Sequence, residues 1–295
     1  MLRGLCLLFC FLTNGENSLF AQISKDFSID ARSGYSIVHL DYNVYKGITH
    51  VKRVQSDKPV QIKSKLSKVN VLPSFSHEIK DDILTAHLHH RNVESETFGK
   101  SLSYKLFSSD SEDFDHQWDV GLSSSYLYDL DLYFGIGKAN LDFSHIPISN
   151  CKIKSASADI KLDYSKKVAN SVTMDTMFVS LNMGNLDAYN INYANAELML
   201  FEINYGTLNL SFSEGVIHDL KVSAIVGAGK VNLTLPDQNQ PYRLKIKSTP
   251  MCRLTLPSYL KDIGDKTYVS KAYKKDAPDL VDLVIDISVG SLVVK

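Results

Sequence analysis

The sequence carries almost no net charge, and that absence excludes whole classes of partner. Across 295 residues, 32 basic and 33 acidic side chains leave a formal charge of −1. Proteins that bind nucleic acid or an anionic membrane surface through electrostatics show a basic excess or a basic stripe. We therefore expect no nucleic-acid partner.

Motifs for common enzyme chemistry and long helical periodicity are also missing. There is no Gly-x-Ser-x-Gly nucleophile elbow, no phosphate-binding loop and no dinucleotide fingerprint. No long stretch repeats its apolar residues every 3.6 positions, as an amphipathic helix would. The sequence thus predicts no cofactor and little helix, while its 15 tyrosines and 13 phenylalanines favour β structure.

The longest apolar run lies at the N-terminus and is too short to cross a bilayer. Arg3 precedes apolar residues 5–12, and a cleavage point follows at Ala21. This pattern predicts a signal peptide over residues 1–21, hence an exported protein (periplasmic, cell-surface or secreted) with no membrane span after cleavage. Cys10 raises the alternative of a lipid anchor, but it follows Phe9, where a small residue is usual.

Cysteine is scarce, with 4 in the sequence and 2 left after the predicted cleavage. Cys151 and Cys252 lie in repeats that we place at least three stacking steps apart, about 14 Å along the stack. A disulfide needs Cα atoms within roughly 7 Å. We therefore expect two free thiols, both buried.

What the sequence does contain is a recurring seven-residue phrase, seen clearly at 137–143, 206–212 and 229–235. A glycine is followed by polar and apolar residues in alternation, with Asn at the centre. Alternation with a period of two indicates a strand with one buried face.

Weaker copies of the phrase begin at residues 156, 177, 250 and 290, mostly about 20 residues apart. Such a period is typical of stacked coils, because a single coil cannot bury its own apolar face. The predicted fold is all-β: an irregular N-terminal β region with a polar loop (22–124), then a single-stack β-solenoid of roughly 20-residue turns (125–295). A charged insertion near 258–280, read as a short helix or hairpin, and the last strands are expected to cap the stack.

The repeats from Leu130 to Leu141 and from Gly227 to Pro236 resemble the "putative adhesin" β-solenoid families of bacterial envelope proteins, including the toast-rack type. The resemblance covers about residues 125–256. It implies a secreted or envelope protein without known catalysis, and it carries over no functional residues.

Three functions remain open from the sequence. The favoured one is a non-enzymatic secreted or envelope-associated interaction module, adhesin-like, whose partner is a protein or a polysaccharide. The first alternative is a carbohydrate-active lyase or hydrolase, although the outward columns hold no tight acidic pair. The second is a sensor or regulatory domain of an envelope stress response.

Candidate binding residues follow from the repeat, because the side chains between the apolar positions point outward and stack into columns. The candidates are Asn140, Asn209 and Asn232 in one column, and Ser211 and Thr234 in a second. Such columns are also what any soluble solenoid exposes.

Two histidines are the candidate metal ligands. His87 and His89 share one face of a predicted strand, a geometry that binds zinc when a third ligand is present. Neither a cysteine nor an acidic residue stands nearby at ligand spacing, so the sequence favours an exposed strand face without metal.

Overall fold

The computed structural model describes residues 23–32, 34–67, 72–90 and 116–295. The predicted signal peptide and most of the predicted polar loop, including its acidic residues Asp110, Glu112, Asp113 and Asp115, lie outside these residues. Within them the regular structure is β, apart from one 3-10 turn at Ile191–Ala194, which confirms the all-β prediction. No helix in these ranges has the length and apolarity needed to cross a membrane.

The described residues contain sixteen strands in chain order. They are β1 Ile23–Ser28, β2 Ile37–Val54, β3 Val60–Leu66, β4 Ser74–Lys80, β5 Ile83–His90, β6 Gln117–Ser123, β7 Leu127–Asp142, β8 Ile148–Asp163, β9 Met174–Tyr189, β10 Ala196–Ser211, β11 Leu220–Thr234, β12 Tyr242–Ser248, β13 Cys252–Thr255, β14 Lys261–Asp262, β15 Thr267–Val269 and β16 Val281–Val294.

The long strands bend near their middle, at a glycine in every one of them except β8. β7 and the start of β8 are joined by only five residues, 143–147, which span at most about 20 Å. A straight 16-residue strand would be about 53 Å long. Because β8 nevertheless pairs with β7 along its whole length, β7 must bend, and it does so at Gly137, where φ is 127°.

The alternation of buried and outward positions along β7 changes phase at the same corner. Before it the buried side chains include Leu132 and Phe134, and after it they include Ala139 and Leu141. The even-numbered positions thus face the core before the glycine and the odd-numbered positions face it afterwards. The two halves of each long strand consequently enclose a common apolar core, which forms the interior of the coil.

Successive coils stack in parallel with their corners aligned. The aligned corner residues are Gly47, Gly137, Ala158, Gly184, Gly206, Gly229 and Gly290. From Gly137 to Gly229 these corners recur every 21 to 26 residues, close to the predicted turn length. The corners approach so closely that a Cβ on Gly206 would lie 1.7 Å from the Gly184 carbonyl oxygen.

The structure corrects the alignment of three weaker repeats. The corner belongs at Ala158 rather than residue 156, and at Gly184 rather than residue 177. The copy beginning at residue 250 forms β13, which pairs with β16 and not with β11. Alternation repeats every two residues, so it defines the buried face of a strand without fixing its register.

The N-terminal region continues the same stack. β2 is a complete coil strand that pairs with β7 across its corner. On its other side β5 pairs with the first half of β2 and β6 with the second half, so these two strands together form a split coil. Hydrogen bonding thus continues across the predicted boundary at residue 124, and the division into two regions stays a prediction.

The C-terminal edge departs from the expected order. β16 lies between β11 and β12, inside the stack, and is not part of a cap. The charged insertion contains the short hairpin β14–β15, and β15 pairs antiparallel with β12 at the edge of the sheet. Capping by the insertion is therefore consistent with the structure, whereas capping by the last strand was wrong.

Both cysteines in the described residues are free, as expected. Cys151 is buried, but Cys252 is only partly buried, which corrects the prediction that both are buried. Cys252 lies on β13, where the sheet has fewer neighbouring strands.

Candidate functional site

A row of polar side chains crosses the outward face of the second half of the coils. Register aligns His50, Asn140, Lys161, Asp187, Asn209 and Asn232 on six neighbouring strands. We call this set the polar ladder. Its three asparagines were predicted in one column, and the register of the strands places them in one row.

Side-chain hydrogen bonds fix one end of the polar ladder. Asn232 Nδ2 donates to Asn209 Oδ1 at 2.5 Å, and Asn209 Nδ2 donates to Asp187 Oδ1. The predicted second column is adjacent, with Ser211 opposite Thr234. Because each amide orients the next, this end presents a fixed series of donors and acceptors.

The other end of the polar ladder opens into a shallow groove of about 250 Å³. Besides His50, Asn140 and Lys161 of the ladder, the groove is lined by Lys52, Asp142, Asp163 and Ser165. Sequence reasoning missed this groove, since β2 supplies His50 and Lys52 from about 90 residues before Asn140.

The two carboxylates in the groove serve the turns of the coil. Asp142 Oδ1 accepts hydrogen bonds from the amide and hydroxyl of Ser144, at 3.1 and 2.6 Å, and its Oδ2 accepts from Ser165 Oγ at 2.5 Å. Burial raises the pKa of Asp142, but the bonds from Ser144 and Ser165 outweigh it and hold that pKa below its usual value. Asp163 accepts from Asn190 Nδ2 at 2.7 Å.

A separate cluster forms where β2 meets the split coil. The parallel register places Asp41 opposite His87, and alternation along β5 places His89 on the same face. Asp41 Oδ2 lies 3.1 Å from His87 Nδ1 and 2.8 Å from His89 Nε2. The acidic partner that the local sequence lacked thus comes from a strand 46 residues earlier, which corrects that part of the sequence analysis.

Further charges flank this cluster on β7. Asp131 stands opposite Asp41 in register and accepts a hydrogen bond from Lys152. His39 Nδ1 lies 3.2 Å from Asp129 Oδ2, and this bond raises the pKa of His39, with burial acting in the opposite direction. Burial also raises the pKa of Asp41, but the bonds from His89 and His87 outweigh it and the pKa is lowered.

The sequence matches one family model over more than half of its length. The model describes the N-terminal domain of toast_rack, DUF2154, and it matches residues 21–184. The chain belongs to the toast-rack family. The matched range of this toast-rack chain includes the Asp41–His87–His89 cluster and the groove, and ends at the corner Gly184.

The chain is also similar to solved structures of two bacterial proteins. A "putative cell adhesion protein" from Clostridium sporogenes shares 15% identity over 93% of the toast-rack chain and 99% of its own, with a TM-score of 0.48. A "putative adhesin" from Bacteroides fragilis shares 11% identity over 93% and 97% of the two chains, with a TM-score of 0.36. No curated protein matches the chain.

Proposed function

We propose that this toast-rack chain is a non-enzymatic, exported interaction module that binds a polysaccharide or a protein through the polar ladder. The observation that carries the proposal is the continuity of the ladder, from hydrogen-bonded amides at Asn232 and Asn209 to the groove beside Asn140. Export rests on the predicted signal peptide, and the adhesin-like role rests on the resemblance of the repeats to putative-adhesin families.

The spacing of the ladder suits an extended polar ligand. Neighbouring strands stand about 4.8 Å apart, so each coil presents one polar side chain per strand spacing. Amide side chains both donate and accept hydrogen bonds, which suits hydroxyl-rich polymers and peptide backbones equally. Each contact is weak, and affinity arises from their sum along the stack.

The carboxylates in the groove support a binding role over catalysis. A general acid for glycoside cleavage needs a carboxyl group whose pKa is raised towards the working pH. Hydrogen bonds from Ser144 and Ser165 hold the pKa of Asp142 in the opposite direction. Asp163 accepts a hydrogen bond from Asn190 Nδ2 at 2.7 Å. These two side chains anchor the turns that shape the groove.

A binding screen against envelope and plant polysaccharides, with variants of the ladder, tests the proposal. Asn209→Ala or Asn232→Ala alone should weaken a bound glycan less than about tenfold, near 1.4 kcal/mol. Changing Asn209, Asn232, Ser211 and Thr234 in one variant should weaken glycan binding far more, while the melting temperature stays near that of the wild type. Asn204→Ala is the matched control, since Asn204 donates to Asn182 at 3.0 Å in another exposed amide pair outside the ladder.

Turnover assays on the same polysaccharides test the alternative function, a carbohydrate-active enzyme. Product formation that disappears on a single change, such as Asp142→Asn or Asp163→Asn, would replace the interaction module with the carbohydrate-active enzyme. Loss of glycan binding in Asn204→Ala but not in the ladder variants would move the binding surface away from the polar ladder.

A further inference from the structure

We propose that Asp41, His87 and His89 form a binding site for a divalent transition metal of the zinc class. Two imidazole nitrogens converge on one carboxylate oxygen, and all three prospective ligand atoms lie within 4.8 Å of one another. This site lies on β2 and β5, apart from the polar ladder, and its existence is independent of the proposed interaction function.

The geometry is close to what zinc requires. Zinc bonds of 2.0–2.1 Å in a tetrahedral arrangement place the ligand atoms about 3.3 Å apart. The two observed nitrogen–oxygen separations are 3.1 and 2.8 Å. The third pair, the two imidazole nitrogens, lies within 4.8 Å. Side-chain rotations that bring all three separations to about 3.3 Å therefore make room for the ion while the strands keep their register.

The backbone holds all three ligands in place. His87 and His89 project from the same face of β5, which is paired with β4 on one side and β2 on the other. Their rings pack edge to face with centroids 6.0 Å apart. Because the sheet already holds these side chains in place, binding a metal costs less conformational entropy here than it would in a flexible loop.

The chemistry of the ligands selects the kind of metal. Two imidazoles and one carboxylate suit zinc and its neighbours, whereas Ca²⁺ and Mg²⁺ prefer oxygen ligands throughout. The three side chains are 30% to 39% exposed, so an ion reaches them from solvent. Three protein ligands also leave the fourth tetrahedral position open to water or to a ligand atom from another molecule.

Nearby charges favour a cation at this position. Asp129 and Asp131 on β7 flank Asp41, where Asp129 lies 3.2 Å from His39 Nδ1 and Asp131 accepts a hydrogen bond from Lys152. The carboxylates together provide a negative potential that attracts a divalent ion from solution.

The test is a titration of the untagged full chain, freed of metal by chelation, with zinc and with Co²⁺. We expect one ion per chain by calorimetry, and visible Co²⁺ bands of the intensity characteristic of tetrahedral coordination. Long-range proton–nitrogen NMR spectra should show zinc-induced shifts at His87 and His89 among the nine histidines of the chain. Excess Ca²⁺ or Mg²⁺ should not displace the bound ion.

Variants tie the binding to these residues. Asp41→Asn, His87→Ala and His89→Ala should each weaken zinc binding by about 100-fold or more, beyond the range of indirect effects on a metal site. His77→Ala is the matched control, because His77 is an exposed histidine on the adjacent strand β4, opposite Ala86. It should bind zinc as the wild type does.

Two results would overturn the proposal. One is a wild-type chain that binds no zinc up to about 1 mM, which would leave the cluster as a hydrogen-bonded trio. The other is unchanged zinc affinity in folded His87→Ala and His89→Ala chains. Circular dichroism melting curves establish that the variants are folded. If an alanine variant does not fold, Asp41→Asn serves in its place, because the asparagine retains an oxygen that accepts hydrogen bonds.

Discussion

The continuous coils β7–β11 and the split coil β5–β6 share one register but carry different outward surfaces. In the continuous coils an outward side chain has an equivalent position on both neighbouring strands, so side chains that hydrogen-bond to their own kind are favoured, as at Asn209 and Asn232. β5 instead lies between the antiparallel β4 and the parallel β2. The two strands beside β5 differ from each other, and at this place His87 and His89 contact Asp41 of β2.

The comparison shows that repetition and specific chemistry occupy different parts of this stack. A repeated row gives a surface of similar contacts, whereas the break in the repeat brings two histidines onto one aspartate. The predictions below test how strictly the continuous coils depend on their repeat.

The largest effect is expected from a charge placed inside a continuous coil. Leu233 is fully buried, so Leu233→Asp should cost several kcal/mol of unfolding free energy and abolish folding. Asn232→Asp, one residue away and facing outward, should cost about 1 kcal/mol. Denaturant unfolding of both variants measures the difference, and equal stabilities would mean that the inward and outward faces are assigned wrongly.

The next largest effect concerns the corners of the continuous coils. Gly206→Ala should cost more than about 3 kcal/mol, because its Cβ would meet the Gly184 carbonyl oxygen and its φ is 149°. Gly264→Ala is the control, since φ there is 96° but no atom lies within 4 Å. It should cost about 1–2 kcal/mol, the penalty for the backbone conformation alone. If the two variants melt together, close stacking at the corner is not what requires glycine.

The smallest effect is a pH dependence at the turns. The folded-state pKa of Asp142 lies below its ordinary value, so this carboxylate adds stability above its unfolded pKa of about 4. That contribution is lost as the pH falls through the folded pKa. Asp142→Asn should therefore be less stable than wild type at pH 7, and the gap should close below about pH 4.

Asp175→Asn supplies the control for that measurement. Asp175 is an exposed aspartate on β9 to which no described side chain donates a hydrogen bond. Its substitution should leave the pH profile of wild type unchanged. A gap between wild type and Asp142→Asn that does not narrow as the pH falls below about 4 would place the origin of the stability elsewhere than in the charge of Asp142.

Local pattern predicted the β fold, the stacked coils and the outward asparagines, because alternation and a corner glycine are visible in single segments. The coil at β2 was missed because Thr49 occupies an inward position, where it bonds to the Tyr42 hydroxyl at 3.1 Å, so the alternation around Gly47 is broken. The third member of the histidine cluster was missed for a different reason. Asp41 meets His87 only through strand pairing, and pairing between distant segments leaves no local signature.

The position of β16 has a consequence for the order in which the molecule assembles. During synthesis β7 to β11 emerge in the order in which they stack, so each finds its neighbour already made. β12 and β13 emerge before residues 281–294, the segment with which they pair in parallel. β12 and β13 can therefore pair only after β16 has been inserted between them and β11. Closure of this end is thus a late, long-range step, and a chain halted at residue 280 would keep two unsatisfied sheet edges that invite association with other chains.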